Sequence, residues 1–595
     1  MAGATARRGG ERGRWAVGTL LAGAVLVFCY LRVAGATQVN SDGAGLVWQA
    51  WDMLHGNVLL HGWWATDVSF YTTELPEYVA VTAAAGLRPE VVHICSALTY
   101  TMLVLLAAFV ARGRARGAEG LVRALLAAGV ILAPQPTGPT LVLLGNPDHV
   151  GTGVPVLVLL LLLDWARPRW WVPVAAGALL AWSIIGDPLI EVVGVAPLFV
   201  ACALRACWVA RARRAEAGAA PVSRRRAWSA AWYELSLAAA AAASVPLAAA
   251  GNSLIRALGG MSVADPWFHL QSVHEIVRGL PVVWESVLAL FGADYLGVQG
   301  AGNVAFALVH LIGTAVVLAA AAVAAWSLAR RGAALVRPRF SPAAAPGDLA
   351  APGDLVADIL VVGIAANVAA FVLEVPMTNV YSAHEIGPVL SFGAALAGRT
   401  LGGRILAGTG RLAGTGGLPD AWRLPDAGRG PWLRRALLPA FAAVLACYVL
   451  TLGVAAAHRQ APPRNVALTD WLLRHHLTSG FAPYWEASSI TVNSGGAITV
   501  LAVTGGGWHG HLVPQRWETN VRLAEPGRLR QANFVILSPA EKLRHAAILA
   551  TFGRPAGSYG VGPYTILVWH GDLARKLTPQ GGPPAAKTVS VTRAG

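Results

Sequence analysis

Charge is scarce in this sequence. Only 13% of its 595 residues are Asp, Glu, Lys or Arg, far below the quarter or so of an ordinary soluble domain. Cysteine is scarce too. Cys29, Cys95, Cys202, Cys207 and Cys447 all fall in apolar stretches and none lies in the polar C-terminal region, so there is no disulfide framework and no zinc signature. There is no P-loop, no G-x-G-x-x-G after a strand and no H-E-x-x-H, which argues against nucleotide-driven pumping and zincin-type proteolysis by this chain. No short-period repeat is visible, nor a matching pair of halves of the kind many transporters carry.

What is present is apolar. Hydrophobic residues make up 55% and mean hydropathy is +0.54, the composition of a polytopic α-helical membrane protein. Runs long enough to span fall at about 15–34, 90–111, 119–134, 150–164, 170–186, 188–210, 230–250, 304–329, 354–373, 384–402 and 434–456. That is about 11 transmembrane helices. The first is read as a retained span, since no small-residue cleavage site precedes the following polar loop.

The connections alternate in character. Segments 112–118, 205–228, 330–339 and 399–435 are Arg-rich, while 35–89, 135–149, 251–303 and 374–383 carry the acids, His and Trp. By the positive-inside rule the first set is cytoplasmic and the second external. This accounts for the formal net charge of +15 without nucleic acid. It predicts a multi-pass protein of the cell membrane, with a cytoplasmic N-terminus at 1–14, a transmembrane domain at 15–456 and an extracytoplasmic domain at 457–595. Loops 330–353 and 403–432, rich in Gly, Pro and Ala, read as flexible cytoplasmic connectors.

The C-terminal region reads as an α/β domain. Helices are expected at 466–477 and 540–552, and strands at 488–503, 533–537 and 564–569. Trp485 and Trp508 are possible sugar platforms, with core packing the preferred reading for Trp485.

The first external loop, 35–89, concentrates the chemistry. Leu46, Val47, Ala50, Trp51 and Leu54 recur at helical spacing, which predicts a helix lying on the membrane surface with Trp at headgroup depth. Asp42 at its start is either a general base or, like Ser41, a helix cap. Asp67, Glu74 and Glu77 form a second acidic group. Glu74, beside Thr72-Thr73, is the better functional candidate, for a metal or sugar hydroxyls, and Glu77 reads as a solvated loop acid.

Further along, Asn146-Pro147-Asp148-His149 places an acid and an imidazole side by side in a short external loop, suited to acid/base work or a hard cation. Asp187, in Gly186-Asp187-Pro188, suits a helix cap with Pro at the first helical position. Glu191 lies one turn inside a span, where a carboxyl is costly. Arg256, His149 and His384 are among the external cations available to an anionic lipid phosphate, and His384-Glu385 opens a span. Segment 265–284 reads as a second surface helix.

The short pieces Asn40-Ser41-Asp42, Thr73-Glu74-Leu75-Pro76, Asn146-Pro147-Asp148-His149, Gly186-Asp187-Pro188 and His384-Glu385-Ile386, set in this layout, resemble the GT-C superfamily of membrane glycosyltransferases. That superfamily includes protein O-mannosyltransferases, the lipid A aminoarabinose transferase and actinobacterial arabinosyl- and mannosyltransferases. The resemblance covers nearly the whole chain as architecture. It implies inverting transfer from a polyprenyl-phosphate sugar donor to a glycan, lipid or protein acceptor on the external face, with Asp42 as the base. Asp42 is followed by Gly43, where many relatives carry two adjacent acids. Asp67, Glu74, Asp148, His149, Asp187, Arg256, His384 and Glu385 are the expected substrate-binding residues. Cofactor need stays open, a divalent cation included. The rival readings are a transporter or flippase of a lipid-linked glycan, which predicts charges at mid-span and paired broken helices, and a non-catalytic scaffold of the same architecture.

Overall fold

The computed structural model describes residues 2–134, 142–145, 149–216, 228–264, 270–336, 353–374, 380–407, 431–505, 510–525, 527–529, 531–539 and 543–577. Asp148, Trp508, the stretch Trp267 to His269 and most of the two expected connectors lie outside these residues.

Each of the eleven apolar runs is a helix. They are α1 (Ala2–Ala34), α4 (Glu90–Arg112), α5 (Gly117–Leu132), α6 (Gly153–Trp165), α7 (Trp171–Gly186), α8 (Ala196–Glu216), α9 (Trp232–Ala257), α11 (Ala301–Val336), α12 (Leu355–Glu374), α13 (Gly387–Ala407) and α14 (Pro431–Ala456). Among the described residues seven helices are long and apolar enough to cross a membrane. The chain is a polytopic helical membrane protein with a C-terminal α/β domain. One π turn, Glu191–Val195, precedes α8, and Glu191 is its first residue.

The Arg-rich ends of the helices meet at one end of the bundle. Arg399 of α13 donates to the Val110 carbonyl at 2.8 Å and pairs with Asp164 at 3.0 Å and with Asp354. Arg205 of α8 pairs with Glu234 at 3.3 Å and donates to the Gly353 carbonyl at 2.6 Å, and Arg331 of α11 pairs with Asp358. An apolar groove of about 370 Å³ between α1, α4 and α5 lies toward this end, with Arg112 over the Trp15 ring at 4.0 Å.

The opposite end is built from the loops. The first loop forms α2 (Ser41–Leu54), β1 (Trp63–Ala65) and α3 (Leu75–Ala85). It has a core of its own, including Leu46, Val47, Trp63, Phe70 and Tyr78, which Val492 of the C-terminal domain joins. The loop is fastened to the end of α7: the Phe70 amide donates to the Gly186 carbonyl at 2.8 Å and Trp182 Nε1 to the Thr72 carbonyl at 2.9 Å. β1 pairs in parallel with β2 (Ser262–Val263) and antiparallel with β6 (Thr519–Asn520). Three distant parts of the chain thus share one small sheet.

The segment after β2 forms α10 (Val273–Leu290), opened by a capping box between Ser272 and Glu275. Val273, Val277, Leu280 and Trp284 make an exposed apolar stripe along it, as a surface helix requires.

The C-terminal domain carries a six-stranded sheet in the order β5-β4-β3-β7-β9-β8. β3 (Ser479–Ala482) runs parallel to β4 (Thr499–Gly505) and β7 (Phe534–Leu537). β5 (Leu512–Pro514) and the hairpin β8 (Gly557–Val561)–β9 (Tyr564–Val568) complete it antiparallel. Two apolar clusters cover its faces, one around Phe481, Val535 and Phe552, the other around Leu472, Ile490 and Phe534. The helices are α15 (Val466–Arg474), α16 (Tyr484–Asn493) and α17 (His545–Phe552).

Three expectations are corrected. Residues 488–493 belong to helix α16, and the strand begins only at Thr499. The β-branched residues there are held in a helix because nearly the whole of α16 is buried between α2 and the sheet, and burial overrides strand propensity. Gly495 and Gly496, both at positive φ, make the reversal into β4. Secondly, α2 is no free surface helix. Its small-residue stretch Gly43-Ala44-Gly45 is buried, and α16 packs on it. Thirdly, Trp485 is exposed, edge-on to Tyr484 at 5.1 Å, rather than in the core.

Candidate active site

Six of the residues expected from the sequence gather at the loop end. Asp187 is fully buried where α7 ends. Its Oδ1 accepts from the Leu189 amide at 2.8 Å, the local cap expected with Pro188. Its Oδ2 accepts from the Thr152 hydroxyl and faces His149 Nδ1 at 3.1 Å. His149 Nε2 lies 3.4 Å from Glu385 Oε2, and His384 Nε2 lies 3.3 Å from Glu385 Oε1. The two imidazoles stack, centroids 6.0 Å apart and planes 5° from parallel. His149 holds φ at +51°, a conformation that a non-glycine residue keeps only where its surroundings fix it.

Electrostatics bind the first-loop acids to this group. Burial alone would raise Glu385, but His149 and then His384 hold its carboxyl down to about 2. Asp67 is raised above its usual range by burial, which His149 offsets in part and Glu385 and Asp187 reinforce. Glu74 is buried to 3% exposure, its carboxyl against Gly151. Burial pushes it up to about 8, with Thr73 offsetting part and Asp187 adding to the rise. Among the described residues neither Glu74 oxygen has a hydrogen-bond partner of full geometry. It is therefore a neutral acid at pH 7.

Glu77 is not the solvated acid expected. Thr99 donates to it at 2.7 Å, and burial raises it to about 7. Arg256, at the end of α9, is exposed and bonds only weakly to its own helix at Asn252, so it does not join the group. Asp148 lies outside the described residues. Among those residues no group of three or more His, Cys, Asp or Glu is placed to hold a metal ion. His149 pairs with Asp187 on one side and with Glu385 on the other.

Asp42 forms a separate group. Asn40, not Ser41 or Asp42, caps α2, its side chain accepting from the Gly43 amide at 3.1 Å. Ser41 donates instead to the Tyr484 carbonyl at 2.6 Å. Asp42, released from capping, accepts from Asn40 Nδ2 at 2.8 Å through Oδ2 and from the Tyr484 hydroxyl through Oδ1. That hydroxyl also lies 2.7 Å from Glu518 Oε2. Glu518 is 3% exposed and has φ +40°, strained by about 1–2 kcal/mol. Its carboxyl fits beside Gly45, where a Cβ would sit 2.9 Å from Oε2.

Sequence reasoning missed Thr152, Tyr484 and Glu518. The run Gly43-Ala44-Gly45 was the available signal that another part of the chain comes close to α2.

No family model matches the chain, and no curated protein matches it. Among solved structures it is similar to the crystal structure of ArnT from Cupriavidus metallidurans in the apo state, at 14% identity and a TM-score of 0.35, over 96% of this chain and 100% of that one.

Proposed function

We propose that this chain is a membrane glycosyltransferase of the GT-C kind, moving a sugar from a polyprenyl-phosphate donor to an acceptor hydroxyl at the extracytoplasmic boundary. The observation that carries the reading is the convergence of Asp67, Glu74, His149, Asp187, His384 and Glu385 at the one end of the bundle where the C-terminal domain meets the first loop. The domain division at about residue 457 and the external placing of this end belong to the same proposal.

In this reading Asp42 is the base. It is half-buried, free of capping duty and ionised at a helix N-terminus. It takes the acceptor's proton while the acceptor oxygen bonds to the sugar's anomeric carbon. The bond from that carbon to the phosphate oxygen breaks, and polyprenyl phosphate leaves. A lipid phosphate is a good leaving group, so a modest base suffices and positioning supplies much of the barrier reduction. His149 and His384 face the phosphate, Glu385 and Asp187 hold the imidazoles in place, and Asp67 and the neutral carboxyl of Glu74 bind donor hydroxyls. The apolar stripe of α10 lies along the lipid boundary, where the polyprenyl chain approaches.

The test is transfer of radiolabelled sugar from a panel of polyprenyl-phosphate donors, in membranes carrying the wild-type chain or Asp42→Asn. Transfer by the wild type that falls by about 100-fold or more in the variant is the expected result. Transfer that survives in Asp42→Asn would return Asp42 to a structural role. Lack of transfer from every donor by folded wild-type protein would overturn the reading in favour of lipid-linked glycan transport.

A further inference from the structure

The unit Asp42–Tyr484–Glu518 is divided between the first loop and the C-terminal domain, and proton counting constrains it. One phenol carries one proton. Two carboxyl oxygens lie within hydrogen-bond distance of the same Tyr484 oxygen, so two favourable contacts require a second proton, held by one of the carboxyls. The two acids are not equivalent. Asp42 is half-buried, also accepts from the Asn40 amide and sits in the first turn of α2, all of which favour its ionised form. Glu518 is buried in the interface between α2 and the C-terminal domain, which favours its neutral form.

We infer that Glu518 keeps its proton and donates it to the Tyr484 oxygen, which in turn donates to Asp42. Tyr484 and Glu518 are then positioning residues supplied by the C-terminal domain, and they orient and hold ionised the carboxylate that receives the acceptor's proton. This rests on the proposed role of Asp42. Burial above all, with the Asp42 carboxylate beside it, pushes the Tyr484 hydroxyl well above its usual range, so the phenol stays protonated throughout. Among the described residues Tyr484 and Glu518 are titratable groups that face Asp42, and Asn40 is a neutral donor to it. The left-handed backbone at Glu518 fits the inference, because such a conformation persists where a side chain must be aimed.

The test uses the full-length protein in detergent. Carbodiimide labelling of Asp42, followed by mass spectrometry across pH, reads its titration midpoint without needing activity. Tyr484→Phe removes the donor to the ionised form, so the midpoint rises by about one pH unit. The acid limb of kcat moves up with it, and kcat falls about 10- to 100-fold with little change in donor KM. Glu518→Gln, whose amide still donates to the phenol, keeps kcat within about threefold of wild type, while Glu518→Ala falls as Tyr484→Phe does. An Asp42 midpoint unmoved in Tyr484→Phe overturns the inference, and so does a Gln variant as impaired as the Ala variant. If the midpoint moves but no donor supports transfer, the positioning stands and the sugar-transfer reading fails.

Discussion

Replacing Glu74 with Gln probes the loop end of the bundle through stability. In the unfolded chain this carboxyl titrates at its ordinary 4.5, and in the folded chain at about 8. The folded value is raised, so the native state binds the proton more tightly. The contribution is complete below pH 4.5, and stability is lost as pH rises from there toward 8. At pH 7 the unfolded chain has released the proton and the native chain has not. At about 1.4 kcal/mol per pH unit over the interval from 4.5 to 7, Glu74 costs on the order of 3 kcal/mol. Gln keeps the shape and has no proton to hold. Glu74→Gln should therefore be more stable than wild type at pH 7 and above, the gap growing toward pH 8 and closing toward pH 5. Thermal unfolding in detergent, followed by tryptophan fluorescence from pH 5 to 9, makes the comparison. Parallel melting curves at every pH would refute the reasoning, since they would mean that Glu74 is ionised in the native state.

Other substitutions address other parts of the molecule. Arg399→Ala strands Asp164 and Asp354, which pair with that guanidinium. It should cost about 3–5 kcal/mol, seen as a markedly lowered melting temperature, and an unchanged one would show the Arg-rich end to be held by packing alone. Gly62 stands at φ +84°, and its carbonyl accepts from the Val521 amide at 2.9 Å. Gly62→Ala should cost about 1–2 kcal/mol through backbone strain, and more because its Cβ would collide with the Arg522 side chain, and it should raise deuterium uptake at β1 and β6. Uptake equal to wild type at both strands would show that the small sheet does not depend on this turn.

The helices were legible because each is written in its own residues, as an apolar run bounded by Arg or by acids. The gathering of Asp67, Glu74, His149, Asp187, His384 and Glu385 was legible for a related reason. All sit in or at the edge of every second connection, so alternation of the connections sends them to one side of the bundle. Arg256 obeys the same alternation yet stays apart, because it ends α9 facing outward. The partners of Asp42 were not legible. Tyr484 is 442 residues away, and what brings it near is the smallness of Gly43, Ala44 and Gly45, which as sequence looks like helix filler. The strand expected across 488–493 failed for the same kind of reason, since those β-branched residues answer to the surface of α2.

The small sheet sets a timetable for synthesis. β1 is complete when Ala65 leaves the ribosome, but its antiparallel neighbour begins at Thr519. At roughly 5–20 residues per second, the first loop therefore waits about half a minute or longer beside the membrane, its strand edge open and α2 uncovered. Such an edge invites pairing with the wrong segment. Brevity is the safeguard: a strand of three residues, Trp63 to Ala65, has too few backbone groups to hold a false partner until the true one arrives.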